Sequence, residues 1–138
     1  VGQAGQLLER MLKAISIERS DTYITNILPW RPPGNRAPTD SEIGTCLPFI
    51  RRQIELVAPE VLILIGGVSA KTLLGTNQGI MRTRGKWLEY RPNRGLKAIP
   101  ARAILHPAYL LRSPAQKRET WMDLLAIQQR MSETSQKL

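Results

Sequence analysis

Residues 61–66 read VLILIG, six positions without a polar side chain. A strand with one face in water alternates apolar and polar residues. An unbroken apolar run this short belongs instead to a strand covered on both faces, as in a parallel sheet. Covering both faces takes helices, and the flanking sequence supplies them. Leu7, Leu8, Met11, Leu12 and Ile15 recur at helical spacing and predict an amphipathic helix over residues 4–15. Thr39 and Glu42 have the spacing of a capping box. They predict a helix with the buried stripe Ile43, Cys46, Leu47, Ile50, Ile54 and Val57, ended by Pro59. Gly66 and Gly67 turn the central run into a short helix, 68–74, closed by Gly75.

The remaining segments fit the same alternation. TYITNIL mixes β-branched and aromatic residues and predicts a strand at about 22–27. PWRPPGNRAP, with four prolines and a glycine, excludes regular structure and predicts a stiff, exposed loop. Residues 76–86 read as a polar, basic loop. WLEY and LKAI flank RPNRG as a small hairpin would, and ARAIL predicts a further short strand ending at His106. Ser113, Pro114 and Gln116 start a last helix with apolar positions at Trp121, Leu124, Leu125 and Met131, interrupted by Gln128. From residue 132 the chain is polar and predicts a frayed tail. Strands alternating with helices predict a three-layer α/β/α fold around a small, mainly parallel sheet, one domain over residues 1–131.

In such sheets ligands bind beyond the carboxyl ends of the strands. Asn26 and His106, the only histidine, each close a predicted strand and so belong to one candidate rim. Composition narrows the ligand. Twenty Lys and Arg against eleven Asp and Glu give a net charge of +9, a field that attracts polyanions. The cations sit mainly in connecting segments rather than along one amphipathic helix, which favours nucleic acid over a membrane surface. No run approaches the roughly 18 apolar residues of a membrane span, and no signal-peptide pattern is present. The expectation is a soluble, cytoplasmic protein. A single cysteine, Cys46, forms no internal disulfide and offers one thiolate where a metal cluster needs several. Neither a phosphate loop nor a dinucleotide fingerprint occurs, which disfavours a nucleotide-binding enzyme.

GQAGQLL, YITN, RPPGNR, RTRGKW and HPAYLLR occur in this order, and together they resemble the family 4 uracil-DNA glycosylases from Val1 to about Leu125. The resemblance implies a small parallel sheet between helices and a monofunctional enzyme, and a monomer is expected. Such an enzyme flips uracil out of DNA and hydrolyses its N-glycosidic bond. No lysine matches a position from which an amine would act as a β-lyase. A DNA-binding relative without catalysis is the alternative. By the same resemblance, a glycine-rich acidic motif and a stacking phenylalanine belong just upstream of Val1, so the sequence reads as a fragment, expected to be inactive and prone to association by itself. Typical members hold a four-iron, four-sulfur cluster through four cysteines. Cys46 falls where the last ligand belongs and Trp30 where the third belongs, so that set cannot form and no cofactor is expected.

Site roles follow from the resemblance and from what excision requires. A flipped base must be read, the vacated stack filled and the phosphates held. His106 would donate to uracil O2 as charge develops on the leaving base. The Asn26 amide matches uracil N3–H and O4 and mismatches cytosine. HPAYLLR reads as an active-site loop, in which Leu110 or Leu111 would enter the stack, with Arg112 on a phosphate. Ser69, behind the Gly66–Gly67 turn, would hold another phosphate at a helix start. Arg31, Arg36, Arg84, Lys86 and Lys117 are the remaining candidates for backbone contacts.

Overall fold

The computed structural model describes residues 2–18, 20, 22–25, 39–92 and 97–136. Its elements run α1 (Gln3–Ala14), α2 (Asp40–Val57), β1 (Leu62–Ile65), α3 (Gly67–Leu74), α4 (Ile80–Thr83), β2 (Leu88–Tyr90), β3 (Ile99–Ile104), α5 (Pro107–Arg112), a 3₁₀ turn (Pro114–Gln116) and α6 (Lys117–Gln136). Among the described residues the sheet has the order β1-β3-β2. Strand β1 is parallel to β3, with Leu62 opposite Ala101 and Ile65 opposite Ile104. Strand β2 is antiparallel to it, with Leu88 opposite Ala101 and Tyr90 opposite Ile99.

The apolar run behaves as its composition requires. Side chains alternate across a strand, so Leu62 and Leu64 enter one core while Ile63 and Ile65 enter the other. The first core adds Ile50 and Ile54 of α2, Leu73 of α3, Tyr90, and Ala101 and Ala103 of β3. The second gathers Met11, Ile15, Ile104, Leu105, Leu110, Leu124 and Ile127. Helices therefore cover both faces of the sheet, and the α/β/α layering is observed. Each fully buried leucine or isoleucine contributes roughly 1.5–3 kcal/mol, so two such cores hold a small sheet firmly. No helix among the described residues is long and apolar enough to cross a membrane.

The capping box forms: the Glu42 N–H donates to Thr39 Oγ1 at 3.1 Å and the Thr39 N–H donates to the Glu42 carboxylate at 2.9 Å. Helix α2 buries Cys46, Ile50 and Ile54 and ends at Ala58, which takes a left-handed conformation before Pro59. Val57, expected on the buried stripe, is 40% exposed because it lies beyond the last turn that faces the sheet.

Several expectations need correction. Residues 22–25 carry no strand ladder, and 26–27 lie outside the described residues. The 76–86 segment contains a helical turn, α4, whose Ile80 packs toward both cores. LKAI and ARAIL do not form two strands: one strand runs through Pro100, where among the described residues β2 is the only neighbour and the β1 ladder has not yet begun. The missing proline N–H therefore breaks no β1 bond. Helix α6 buries Thr120, Asp123, Leu124 and Ile127, leaving Trp121 and Leu125 exposed, and it continues to Gln136 rather than fraying at 132.

Candidate active site

Parallel strands deliver their carboxyl ends to the same side, and here β1 and β3 end in register. The Gly66 N–H donates to the Ile104 carbonyl at 2.9 Å, continuing the ladder one step beyond β1. The chain then turns at Gly66 with φ 87° and ψ 167°, a conformation that only glycine adopts without strain. A Cβ at Gly66 would sit 3.4 Å from Cβ and Cδ2 of His106. The imidazole therefore lies beside the turn, with space for little more than a methyl group between them. Residues Gly67 and Ser69, at the start of α3, line the same cleft as His106. This cleft has a volume of about 1350 Å³ and is walled on its other sides by Thr22–Thr25 and the outer edge of β1. Thr25 Oγ1 donates to Gln53 Oε1 at 3.0 Å, which ties that wall to α2.

HPAYLLR is not a loop. His106 is the N-cap of α5, Pro107 occupies the first helical turn, and the Ala108 N–H donates to His106 Nδ1 at 3.0 Å. A cap position accepts side-chain hydrogen bonds from the free N–H groups of the helix start. Proline suits the first turn because it has no N–H to leave unsatisfied. An acceptor Nδ1 fixes the tautomer: the neutral ring carries its proton on Nε2. His106 keeps an exposed surface but is partly buried, and that partial burial pushes its pKa below the ordinary value of 6.5, with the Arg112 guanidinium lowering it further. Protonating the ring would also place an N–H where Ala108 donates. The arrangement holds a neutral imidazole whose Nε2–H is free to act as a hydrogen-bond donor.

The other candidates separate. Leu110 is 2% exposed and belongs to the core, so it does not fill a DNA stack; it faces inward on α5 one helical turn after His106. Leu111, one position on, is 41% exposed, and Arg112 is exposed beside it. Lys86 is exposed on the turn that leads into β2. Arg84 is engaged within the fold: its Nε donates to Asp123 Oδ2 at 2.9 Å and its Nη2 to the Glu119 carbonyl at 3.3 Å. Lys117 is exposed on the rim of a second recess, separate from the His106 cleft. Asn26, Trp30, Arg31 and Arg36 lie outside the described residues.

Cys46, the sole thiol in the sequence, is buried at 4% exposure on the core side of α2. Among the described residues no three His, Cys, Asp or Glu side chains gather as metal ligands. One buried thiol does not fit an iron–sulfur ligand set, which needs several converging thiolates.

Sequence reading missed a buried ionic cluster. Asp123 of α6 is fully buried and accepts from Arg102 Nε at 3.0 Å and Nη2 at 2.8 Å, besides Arg84. The Arg102 guanidinium lies 5.4 Å from the centre of the Trp87 ring, and that of Arg130 lies 5.3 Å from it. The cluster ties β3, which ends just before His106, to α6 and to the turn carrying Lys86. The available signal was an arginine inside the otherwise apolar IPARAIL.

Comparison with known proteins gives a consistent picture. Residues 1–125 match the model of the Uracil DNA glycosylase superfamily. A type-4 uracil-DNA glycosylase of Archaeoglobus fulgidus is 37% identical over 131 residues, covering 92% of this chain and 65% of that protein. Counterparts from Thermotoga maritima and Pyrobaculum aerophilum are 38% and 35% identical, covering 82% and 90% of this chain. The chain spans 57% and 64% of the length of those two relatives.

Proposed function

The chain belongs to the uracil DNA glycosylase superfamily, and we propose that it acts in DNA repair by excising uracil through hydrolysis of the N-glycosidic bond. The observation that carries this reading is the Ala108-to-His106 hydrogen bond, which leaves Nε2–H as the donor of a ring that lines the cleft. When the bond from C1′ to N1 breaks, its electron pair passes to the uracil ring and charge gathers on O2. A preorganised donor at that oxygen stabilises the transition state, and removing one such donor typically costs about 3–4 kcal/mol. Water then adds to the oxocarbenium-like sugar and leaves an abasic site. His106 need not gain or lose a proton in this scheme.

The base reaches the cleft by rotation out of the duplex. Leu111 enters the vacated stack and Arg112 holds the adjacent phosphate. Ser69 and the first N–H groups of α3 take a second phosphate, and Lys86 a third. Arg31 and Arg36 extend this track, and the Asn26 amide reads uracil N3–H and O4. Cytosine reverses both hydrogen-bond partners, which leaves buried groups unpaired and costs roughly 1–3 kcal/mol.

Release of labelled uracil from oligonucleotides by the full-length protein, followed in single turnover, tests the proposal. Stoichiometric abasic product is the expected result. Tight DNA binding without uracil release would instead identify a non-catalytic relative.

A further inference from the structure

Helix α6 leaves Trp121 43%, Met122 58% and Leu125 37% exposed. Trp121 borders a recess of about 280 Å³ between α1 and α6. Its floor is aliphatic, made by Leu7, Met11, Leu110 and Leu124, and Arg10 and Lys117 stand on its rim. No carboxylate lines it. The volume falls just below the roughly 300–1,000 Å³ of small-molecule sites, which suits one bulky side chain better than a cofactor. Helix α1 separates this recess from the His106 cleft: Leu8 and Leu12 line the cleft, whereas Leu7 and Met11 line the recess.

We infer that the recess between α1 and α6 docks an acidic segment of a partner protein that inserts one large apolar side chain beside Trp121. Partly exposed tryptophans flanked by arginine mark the energetic centres of protein interfaces. The two rim cations select carboxylates on either side of the inserted residue, while the aliphatic floor takes the residue itself. DNA is the poorer fit, because a phosphate track needs polar groups along its length and this recess offers cations only at its edge. The surface goes beyond uracil excision, since its occupant leaves the His106 cleft open.

Fluorescence anisotropy with a labelled peptide of aspartates flanking one phenylalanine tests the inference. That probe should bind at least about tenfold more tightly than an aspartate-only or a lysine-flanked peptide. Trp121→Ser and Arg10→Glu should each weaken it by about tenfold while leaving the thermal unfolding midpoint unchanged. Equal binding of the aspartate-only peptide, or unaltered affinity in both variants, overturns the proposal. Displacement of the peptide by single-stranded oligothymidine that Trp121→Ser also abolishes would assign the recess to nucleic acid. A concentration-dependent dimer in sedimentation, lost in Trp121→Ser, would assign it to a second copy. Either of those outcomes overturns it too.

Discussion

Gly66 leaves room for a single carbon beside His106: a side-chain carbon on the glycine would lie 3.4 Å from both Cβ and Cδ2 of the histidine. The same glycine holds φ at 87°. Gly66→Ala therefore introduces backbone strain of about 1–3 kcal/mol in the turn against which the ring is set, with the new methyl at contact distance from it. Uracil release should fall well beyond what the loss of stability explains. Comparing single-turnover rates at a temperature where the variant is fully folded checks this. An unchanged rate would separate the turn from the catalytic residue.

His106 should work as a neutral donor. With its pKa below 6.5, excision is expected to be flat above that value and to decline on acidification, with a midpoint below 6.5. Stability follows the same sign. Between the lowered folded pKa and 6.5 the unfolded chain binds more protons, so stability is complete above 6.5 and declines as pH falls through the folded value. His106→Ala should remove the acid limb from the pH–rate profile and lower the plateau by roughly 100-fold or more. An excision midpoint above 6.5 contradicts the neutral ring.

Adjacent leucines on α5 should behave oppositely. Leu110→Ala empties a core site and should destabilise by about 2–5 kcal/mol. Leu111→Ala should stay within about 0.5 kcal/mol of the parent in denaturant unfolding, yet slow excision from duplex more than from single-stranded DNA, where no stack has to be filled. Equal slowing on both substrates would remove Leu111 from base flipping.

The arginines divide in the same manner. Asp123→Ala strands Arg102 in the core without its partner and should destabilise by about 3–5 kcal/mol. Arg84→Ala should also act on stability, measured by urea unfolding, rather than on the salt dependence of DNA binding.

Lys86→Ala and Arg112→Ala should each lower the slope of log affinity against log salt by about one unit. Titrations across a salt series show whether these cations meet phosphates. A slope identical to that of the parent would place Lys86 outside the DNA track.

The contrast between Arg84 and Lys86 shows how far the sequence could be read. Both occupy RTRGKW, and both read as candidates for contacts to the DNA backbone. Only the fold brings Asp123 against one of them. Local signals survived folding intact: the capping box at Thr39, the glycine turn at Gly66 and the double-faced run at 61–66 depend on residues within a few positions. Alternation of apolar residues on α6 misled because Asp123 takes an inward position, and a buried carboxylate is legible only through distant partners. HPAYLLR read as a loop because the proline after His106 resembled a stop. At a helix start it is a beginning.

Strand β3 lies between β1 and β2, with its side chains almost wholly buried, and His106 follows it after one intervening leucine. Its ladder amides have no local route to solvent, so they exchange with deuterium only when the whole sheet opens. The imidazole therefore follows directly on the strand whose amides should exchange slowly, whereas Leu111, Arg112 and Lys86 stand on short, exposed segments. On the proposed function, the hydrogen-bond donor is anchored to the central strand, and the DNA contacts stand on short elements at the periphery.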